Sequence, residues 1–265
     1  MYAFEYQRPA DRAAAIAAAA ADDARYLAGG QSLVQSMRLR LGNPATLIDL
    51  SGMADLRGIR RNGDTLSIGA MTRHSEVARS AEVRSAIPAL AVLAGGIGDQ
   101  MVRNMGTIGG SLANSDPAAC YPAGVLGLGA TIRTDRRSIA ADDFFIDLFT
   151  TALEPGELIV GVDFPVPARA GYVKFKQPAS RFALIGVFVS QSAAGVRVAV
   201  TGAKACVYRV PEFERALAAR FEPEALDGVA VSADGLNGDL HASAEYRAAM
   251  INVRAKRAVS MALGR

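Results

Sequence analysis

Apolar and polar positions alternate over short stretches in the first part of the chain, and glycine-rich turns separate those stretches. Strand-like runs are predicted at 4–6, 25–28 and 46–50. Between them, an alanine-rich helix is predicted from Pro9 to Ala21. A second helix is predicted from Leu33, Met37 and Leu41, which recur at the i, i+4, i+8 spacing of one helix face. These elements predict a small α/β unit.

A second unit is predicted from residue 55 onwards. Asn62-Gly63 between two apolar runs is a hairpin signal, and Pro88 is placed for the first turn of a helix. Helices are predicted at 72–78, 87–93 and 118–128, strands at 130–134 and 156–164, and an irregular strand or turn at 138–145.

The pattern of apolar and polar positions changes after residues 165–171. This stretch begins with Pro-Val-Pro and is predicted to be a linker. Longer strands of antiparallel type are predicted next, at 172–177, 182–191 and 195–201, followed by helices at 211–220 and 242–263. In the last helix, Tyr246, Met250 and Val253 are predicted to form the buried stripe. The tail is therefore predicted to be a sheet covered by helices.

Composition narrows the classes of protein. The 265 residues are 51% hydrophobic and 21% charged with a net charge of +3, which is ordinary for a globular protein. Basic residues are scattered over both halves, which argues against a nucleic-acid-binding face. No apolar run reaches about 20 residues, and charges interrupt the N-terminus early, so we expect neither a membrane span nor a signal peptide. A cytoplasmic protein is expected.

Few residues are suited to acid–base or metal chemistry. Cys120 and Cys206 form neither a disulfide framework nor a metal-ligand spacing. His74 and His241 are isolated in sequence, so we expect each to be exposed or satisfied within the core. The sequence predicts no metal site and no catalytic side chain.

Gly106 to Pro117 is the most distinctive stretch of the chain. It carries a glycine pair, short hydrogen-bonding side chains and an Asp-Pro that precedes an apolar helix. Glycine allows backbone amides to approach a ligand closely, so a loop of this kind can hold an anion or sugar hydroxyls. On its own such a stretch is more often only a turn.

A second stretch of the same kind, Ala28 to Leu33, follows a predicted strand and has Ser32 as a candidate N-cap. Two such loops, each placed between a strand and a helix, suggest two sides of one diphosphate site. Neither matches the Gly-x-Gly-x-x-Gly or Walker spacing, so a Rossmann or P-loop fold is disfavoured.

Together, Ala28–Leu33 and Val102–Ser111 resemble the FAD-binding medium subunit of the molybdenum hydroxylases, which include carbon monoxide dehydrogenase and bacterial relatives of xanthine dehydrogenase. The resemblance is collinear over nearly the whole chain. It implies an α+β protein: an FAD-binding fold of the vanillyl-alcohol-oxidase type with two α/β subdomains, and then a small C-terminal α+β domain. The expected boundaries are 1–54, 55–167 and 168–265.

The resemblance also implies the residues that bind FAD. Backbone amides of the first loop are expected at the diphosphate, Thr107 and its neighbours at the diphosphate and ribityl groups, and Ile97, Ile159 and Lys176 near the isoalloxazine ring. The full expected set is Ala28, Gly29, Gly30, Gln31, Ser32, Leu33, Ile97, Thr107, Gly110, Ser111, Asn114, Asp116, Cys120, Ile159 and Lys176.

One position departs from the family pattern. Many relatives carry Asp where this chain has Cys120, and a thiol is a much weaker hydrogen-bond acceptor than a carboxylate. If that position normally holds a flavin group, binding here differs, and Asp116 is a candidate substitute. The alternative, that Cys120 is a small buried apolar residue, is favoured.

The family role that this resemblance implies is electron transfer. Substrate is oxidised at a molybdenum cofactor in a large subunit, and electrons reach this FAD through 2Fe–2S clusters of a small subunit, in a heterotrimer or its dimer. The chain itself has no cysteine set for such clusters. Two alternatives stay open at this point: a free-standing flavin oxidoreductase of the same fold, and a non-catalytic nucleotide-binding module.

Overall fold

The computed structural model describes residues 1–265, and its helices and strands fall into three groups along the chain. The first group surrounds a parallel sheet in the order β1-β3-β2. Its strands are Glu5–Gln7 (β1), Ala24–Leu27 (β2) and Thr46–Asp49 (β3), and its helices are Arg12–Ala18 (α1) and Leu33–Arg38 (α2). Parallel strands need a crossover between them, which the two helices supply.

The second group is built on a five-stranded antiparallel sheet. Its order is Ile59–Asn62 (β4), Thr65–Gly69 (β5), Ile159–Pro165 (β10), Thr131–Thr134 (β6) and Ser138–Ala140 (β7). Its helices are His74–Arg79 (α3), Ala81–Ala86 (α4), Pro88–Gly95 (α5), Gln100–Met105 (α6), Ile108–Asn114 (α7), Tyr121–Leu128 (α8) and Ala141–Phe144 (α9). A two-stranded ribbon, Phe145–Asp147 (β8) with Thr150–Thr151 (β9), extends from it.

The third group is a four-stranded antiparallel sheet with two helices. Its strands are, in order, Arg169–Lys176 (β11), Ala183–Ser192 (β12), Gly195–Thr201 (β13) and Tyr208–Arg209 (β14), and its helices are Pro211–Ala219 (α10) and Ala244–Ala262 (α11). Single 3-10 turns occur at Ala54–Leu56 and Pro223–Leu226. The α+β class expected from the sequence is confirmed, and no helix combines the length and the apolar character that crossing a bilayer requires.

The C-terminal sheet is covered on both faces, which explains the continuous apolar run of β12. Val187 and Val189 point into a core shared with α11, whereas Phe188 lies against α8, where it would touch a β-carbon added at Gly124 or Gly127. The largest core cluster therefore contains residues from both sides of residue 167. The domain boundaries given above stay a prediction.

Two sequence expectations about this third group are wrong in detail. The predicted linker is short, because Pro165 still belongs to β10 and Arg169 already begins β11. The buried face of α11 is also rotated from the expected stripe, since Tyr246 and Val253 are 45% and 40% exposed. The buried residues of that helix are Arg247, Ala248, Ile251, Ala255, Ala258 and Val259.

Close backbone packing explains this rotation. A β-carbon added at Gly171 would overlap the carbonyl oxygen of Ala258, so α11 lies almost directly on β11. Only a helix face made largely of alanine allows that approach. The larger Tyr246 and Val253 are therefore turned outward.

The first two groups are joined at the turn before β10. The Tyr26 hydroxyl donates to the carbonyl oxygen of Gly156 at 2.9 Å. In the same turn, the buried carboxylate of Glu157 accepts from the Arg137 guanidinium at 2.9 and 3.0 Å, from the Thr134 hydroxyl at 2.8 Å and from the Glu154 amide at 2.8 Å. These bonds, Arg137 first, lower the pKa of Glu157 from 4.5 to about 2.

We expect Glu157 to make the stability of the fold depend on acid pH. Because its pKa is lower in the folded chain, its contribution is complete above about pH 4.5 and is lost as the pH falls towards about 2. Glu157→Gln should lower the free energy of unfolding by about 2 kcal/mol at neutral pH, because it weakens charged hydrogen bonds. It should also flatten the pH dependence in that window. Urea unfolding at several pH values measures both effects. Glu154→Gln, at an exposed carboxylate, is the matched control, and an equal loss in both variants would contradict the prediction.

Candidate functional site

The first glycine segment, Ala28–Leu33, begins where β2 ends. The amide of Leu50 donates to the carbonyl oxygen of Leu27 at 3.0 Å, which fixes the end of the strand. Beyond this point, none of the amides of residues 28–33 donates a hydrogen bond within the chain. Six successive unpaired amides at the carboxyl end of a parallel sheet form a concentrated set of donors, which suits an anion.

The helix after this segment is shorter than the sequence predicted. Ser32 occupies the N-cap position, but its side chain makes no capping hydrogen bond, so the hydroxyl has no partner within the chain. The helix ends at Arg38, and Leu41 is 79% exposed instead of lying on a buried face. Of the three residues predicted to share one helix face, only Leu33 and Met37 therefore lie in the helix.

The second glycine segment is mostly helix, not loop, and it follows the helix α6 instead of a strand. Thr107 is the N-cap, and its hydroxyl oxygen accepts from the Gly110 amide at 3.2 Å. The amides of Ile108 and Gly109 donate to the carbonyl oxygens of Thr72 and Ala70, at 3.1 and 2.8 Å. Most amides of this segment are therefore already used. Three groups of this segment make no hydrogen bond within the chain and remain available to a ligand. They are the Thr107 amide and the side chains of Ser111 and Asn114.

The two segments touch through backbone atoms. A β-carbon added at Gly29 would overlap the Met105 carbonyl oxygen and lie 2.7 Å from the Gly106 Cα. On the other side of this contact, a β-carbon added at Gly106 would lie 2.5 Å from Nε2 of His74. Gly106 is thus held between His74 and Gly29, and glycine is required at both positions because no side chain fits.

His74 is a residue whose place the sequence did not reveal. It is buried, as one of the two expected alternatives stated, but its Nδ1 has no hydrogen-bond partner. Its amide donates to the Gly106 carbonyl oxygen at 3.0 Å, and its ring packs on Tyr121 with 5.3 Å between centroids. Burial, reinforced by the nearby Arg103 guanidinium, lowers the pKa of His74 to about 4. The imidazole is therefore neutral at physiological pH.

The segment from Asp116 to Cys120 joins this region to the C-terminal sheet. The Thr201 hydroxyl lies 2.8 and 2.7 Å from the carbonyl oxygens of Pro117 and Ala119, and shares its one hydrogen between them. The Asp116 carboxylate accepts from the Ala118 amide at 2.8 Å, and burial raises the pKa of Asp116. Cys120 is buried in the largest core cluster. Burial first, and the neighbouring Cys120 second, raise the pKa of Tyr172.

The three residues expected at the ring end lie in different settings. Ile159 is buried in the main core, and Ile97 is half-buried and packs against the same core. Lys176 is exposed and makes no hydrogen bond or ion pair within the chain. It does lie near the Asp116–Cys120 segment, because its β-sheet partner Ala183 donates its amide to the Ala118 carbonyl oxygen at 3.3 Å. The assignment of these residues to a ligand stays a prediction.

Comparison with known proteins gives a consistent result. Residues 2–167 match the sequence family described as the FAD binding domain in molybdopterin dehydrogenase. The chain is 35% identical to the carbon monoxide dehydrogenase medium chain of Hydrogenophaga pseudoflava, over 99% of this chain and 98% of that protein. It is 33% identical to the nicotine 6-hydroxylase medium subunit of Paenarthrobacter nicotinovorans, over 90% of this chain and 89% of the other.

Solved structures agree with this. A chain of the reconstituted CO dehydrogenase from Oligotropha carboxidovorans superposes with a TM-score of 0.90 at 32% identity, covering 100% of this chain and 99% of that one.

The Thr201 hydroxyl can be tested directly. Thr201→Val keeps the shape of the side chain but leaves the Ala119 carbonyl oxygen without its donor, while the Pro117 carbonyl oxygen keeps only the Gly202 amide. We therefore expect the free energy of unfolding to fall by about 1–3 kcal/mol. Thr131→Val is the control, because Thr131 is a strand residue whose hydroxyl makes no hydrogen bond within the chain. Urea unfolding measures both variants. Equal stability of Thr201→Val and Thr131→Val would show that this contact contributes nothing.

Proposed function

The chain belongs to the FAD-binding medium subunits of the molybdenum hydroxylases, and we propose that it transfers electrons from 2Fe–2S clusters of a partner subunit to an external acceptor. As a member of that family it is an oxidoreductase subunit whose cofactor is FAD. The observation that carries the proposal is the row of unpaired amides at residues 28–33, placed against the second glycine segment.

The residues present fit the diphosphate of FAD. Amide donors can hold phosphate oxygens without a basic side chain, and the amides of Ala28 to Leu33 are unpaired. The Ser32 hydroxyl adds a donor beside them. We assign Ala28, Gly29, Gly30, Gln31, Ser32 and Leu33 to this end of the cofactor.

The second segment fits the neighbouring polar part of the cofactor. The Thr107 amide, the Ser111 hydroxyl and the Asn114 carboxamide have no partner in the chain and can bond diphosphate oxygens or ribityl hydroxyls. Gly110 contributes close backbone approach, because its own amide is bonded to Thr107. Asp116 offers its second carboxylate oxygen, since the other one accepts from the Ala118 amide.

The ring end is assigned to Ile97, Ile159, Lys176 and Cys120. Apolar side chains suit the faces of a flat ring, and a lysine suits its electron-rich edge. When bound, FAD supplies the redox chemistry, and the chain supplies position and electrostatics. No side chain is assigned a catalytic role.

The proposed assembly contains two partners. A small subunit carries the 2Fe–2S clusters and a large subunit carries the molybdenum cofactor, in a heterotrimer or its dimer. The medium subunits of carbon monoxide dehydrogenase and nicotine 6-hydroxylase are the relatives that support this arrangement. We place the assembly in the cytoplasm, where the free thiols of Cys120 and Cys206 are stable.

Gly29→Ala should weaken FAD binding. The added methyl group would force the two glycine segments apart, and overpacking of this kind typically costs about 1–3 kcal/mol, which corresponds to a loss of affinity of about 5- to 150-fold. Titration of the flavin-free chain with FAD measures the loss. Gly238→Ala is the control, because a β-carbon there meets nothing closer than 4.0 Å. Circular dichroism of both flavin-free variants separates lost binding from lost folding, and full affinity in Gly29→Ala would refute the contact as a requirement.

The electron-transfer role is tested with the purified subunits. The small iron–sulfur subunit is reduced, freed of excess reductant and mixed without oxygen with the FAD-loaded chain. We expect the absorbance of the oxidised flavin to disappear as the iron–sulfur absorbance returns. An oxidised small subunit is the control. A flavin that stays oxidised in the mixture, or a chain that binds no FAD alone or co-expressed with both partners, would overturn the proposal.

A further inference from the structure

The turn from Gly96 to Gly98, between α5 and α6, presents three successive carbonyl oxygens to cationic side chains. The Lys174 ammonium donates to the carbonyl oxygen of Gly96 at 3.0 Å. The Arg103 guanidinium donates to those of Ile97 and Gly98, at 2.9 and 3.2 Å. Charged donors make the stronger class of hydrogen bond, so this turn is held more firmly than an ordinary surface turn.

The two cations reach the turn from different parts of the fold. Arg103 belongs to α6, directly after the turn, and its other arm bonds the side chain of Gln100 at 3.2 Å. Lys174 belongs to β11 of the C-terminal sheet, and 78 residues separate it from Gly96. The Lys174 bond is therefore a contact between the third group of elements and the second, made at the turn that carries Ile97.

The turn also has unused donors. The amides of Gly98 and Asp99 donate no hydrogen bond within the chain, whereas the Ile97 amide donates to Ala94 at 3.3 Å. Since the carbonyl oxygens of the turn are occupied by Lys174 and Arg103, the orientation of its peptide units is fixed. Any ligand beside Ile97 then meets preoriented amides.

Lys174 differs in this respect from Lys176, two residues later on the same strand. The pairing of β11 with β12 shifts register between Phe175 and Lys176, and only Lys174, on the near side of that shift, has a hydrogen-bond partner. Lys174 is half-buried, and Lys176 is exposed.

We propose that Lys174 is a positioning residue for the ring end of the flavin site: its bond to Gly96 sets the turn that places Ile97 and the free amides of Gly98 and Asp99 against the isoalloxazine ring. The inference rests on the proposed function, which puts Ile97 beside that ring. It assigns to the C-terminal sheet a part in shaping the cofactor site from a distance.

The test compares FAD with ADP, which shares the adenosine and diphosphate of FAD but has no ring. In the full-length chain, Lys174→Met should lower FAD affinity about tenfold, because a charged hydrogen bond that orders the ring end is lost. It should leave ADP affinity within about twofold, and it should change the visible circular dichroism of the bound flavin, which reports on the surroundings of the ring. Lys174→Arg, which keeps a cationic donor, should restore most of both signals.

Two further variants sharpen the result. Lys256→Met is the matched control, because it removes a lysine of the same region that bonds Asp227 at 2.6 Å, away from the turn. Arg103→Met should act in the same direction as Lys174→Met, and the double variant should lose less than the product of the two single losses, since both cations hold one turn. If Lys174→Met folds poorly, Arg103→Met by itself still tests whether loosening this turn weakens FAD binding more than ADP binding.

The outcomes separate the two proposals. Wild-type chain that binds neither FAD nor ADP, whether alone or co-expressed with both partners, would overturn the proposed function and this inference with it. Wild-type binding with unchanged FAD affinity and flavin dichroism in Lys174→Met would overturn the inference alone. An equal loss of FAD and ADP affinity would do the same, because it would show a general structural role.

Discussion

The backbone contact between Gly29 and Gly106 is the constraint on which the arrangement of the site depends. Gly29 follows β2 in the first group of elements, and Gly106 lies between α6 and α7 in the second. Their contact therefore fixes how the parallel sheet of the first group sits against the helices of the second. The His74 ring also packs against Gly106, so Gly106 has His74 and Gly29 as close neighbours. The neutral, buried imidazole of His74 contributes here by its shape. Its residue is held in place by the hydrogen bond from its amide to the Gly106 carbonyl oxygen. The proposed role of the unpaired amides of the first segment depends on this contact, because it holds the segment in place.

The site divides its hydrogen-bonding groups between the two segments. In the first segment the amides are free, and Ala28, Gly29 and Gly30 leave the first of them uncovered by large side chains. In the second, Thr72, Ala70 and Thr107 occupy the amides, and Ser111 and Asn114 keep free side chains. Phosphate oxygens and sugar hydroxyls make different demands, because the first only accept hydrogen bonds whereas the second both donate and accept. Amides suit the first, and hydroxyl or carboxamide side chains suit the second. Under the proposed assignment, these groups of the two segments meet both demands without a charged side chain among them.

Sequence patterns predicted the elements well wherever local chemistry decides the structure. Asn62-Gly63 gave the hairpin, Pro88 the start of α5, and the long apolar runs the C-terminal strands. The family resemblance supplied the fold and the cofactor, which no spacing in the chain could have given. The failures occurred where distant packing decides the outcome. Gly109 and Gly110 read as a loop because glycine is a poor helix former, yet Thr107 caps them into a helix whose first amides bond Thr72 and Ala70. The buried face of α11 differs from the prediction because Gly171 sets how closely the helix approaches β11. That glycine lies at least 73 residues before the helix. His74 and Lys174 are recognised only by what they touch, 32 and 78 positions away in sequence.

The packing of β12 on α8 has a consequence for how the chain can be shortened. The family match ends at residue 167, which invites expression of the flavin-binding part by itself. Every residue of α8 is buried, and Phe188 of the C-terminal sheet covers its glycine-lined surface. A fragment ending at 167 would expose this apolar helix to water and lose the Thr201 contact as well, so it would associate with other molecules instead of remaining monomeric. The end of the matched FAD-binding domain at residue 167 and the limit of an independently folding fragment are therefore different places in this protein.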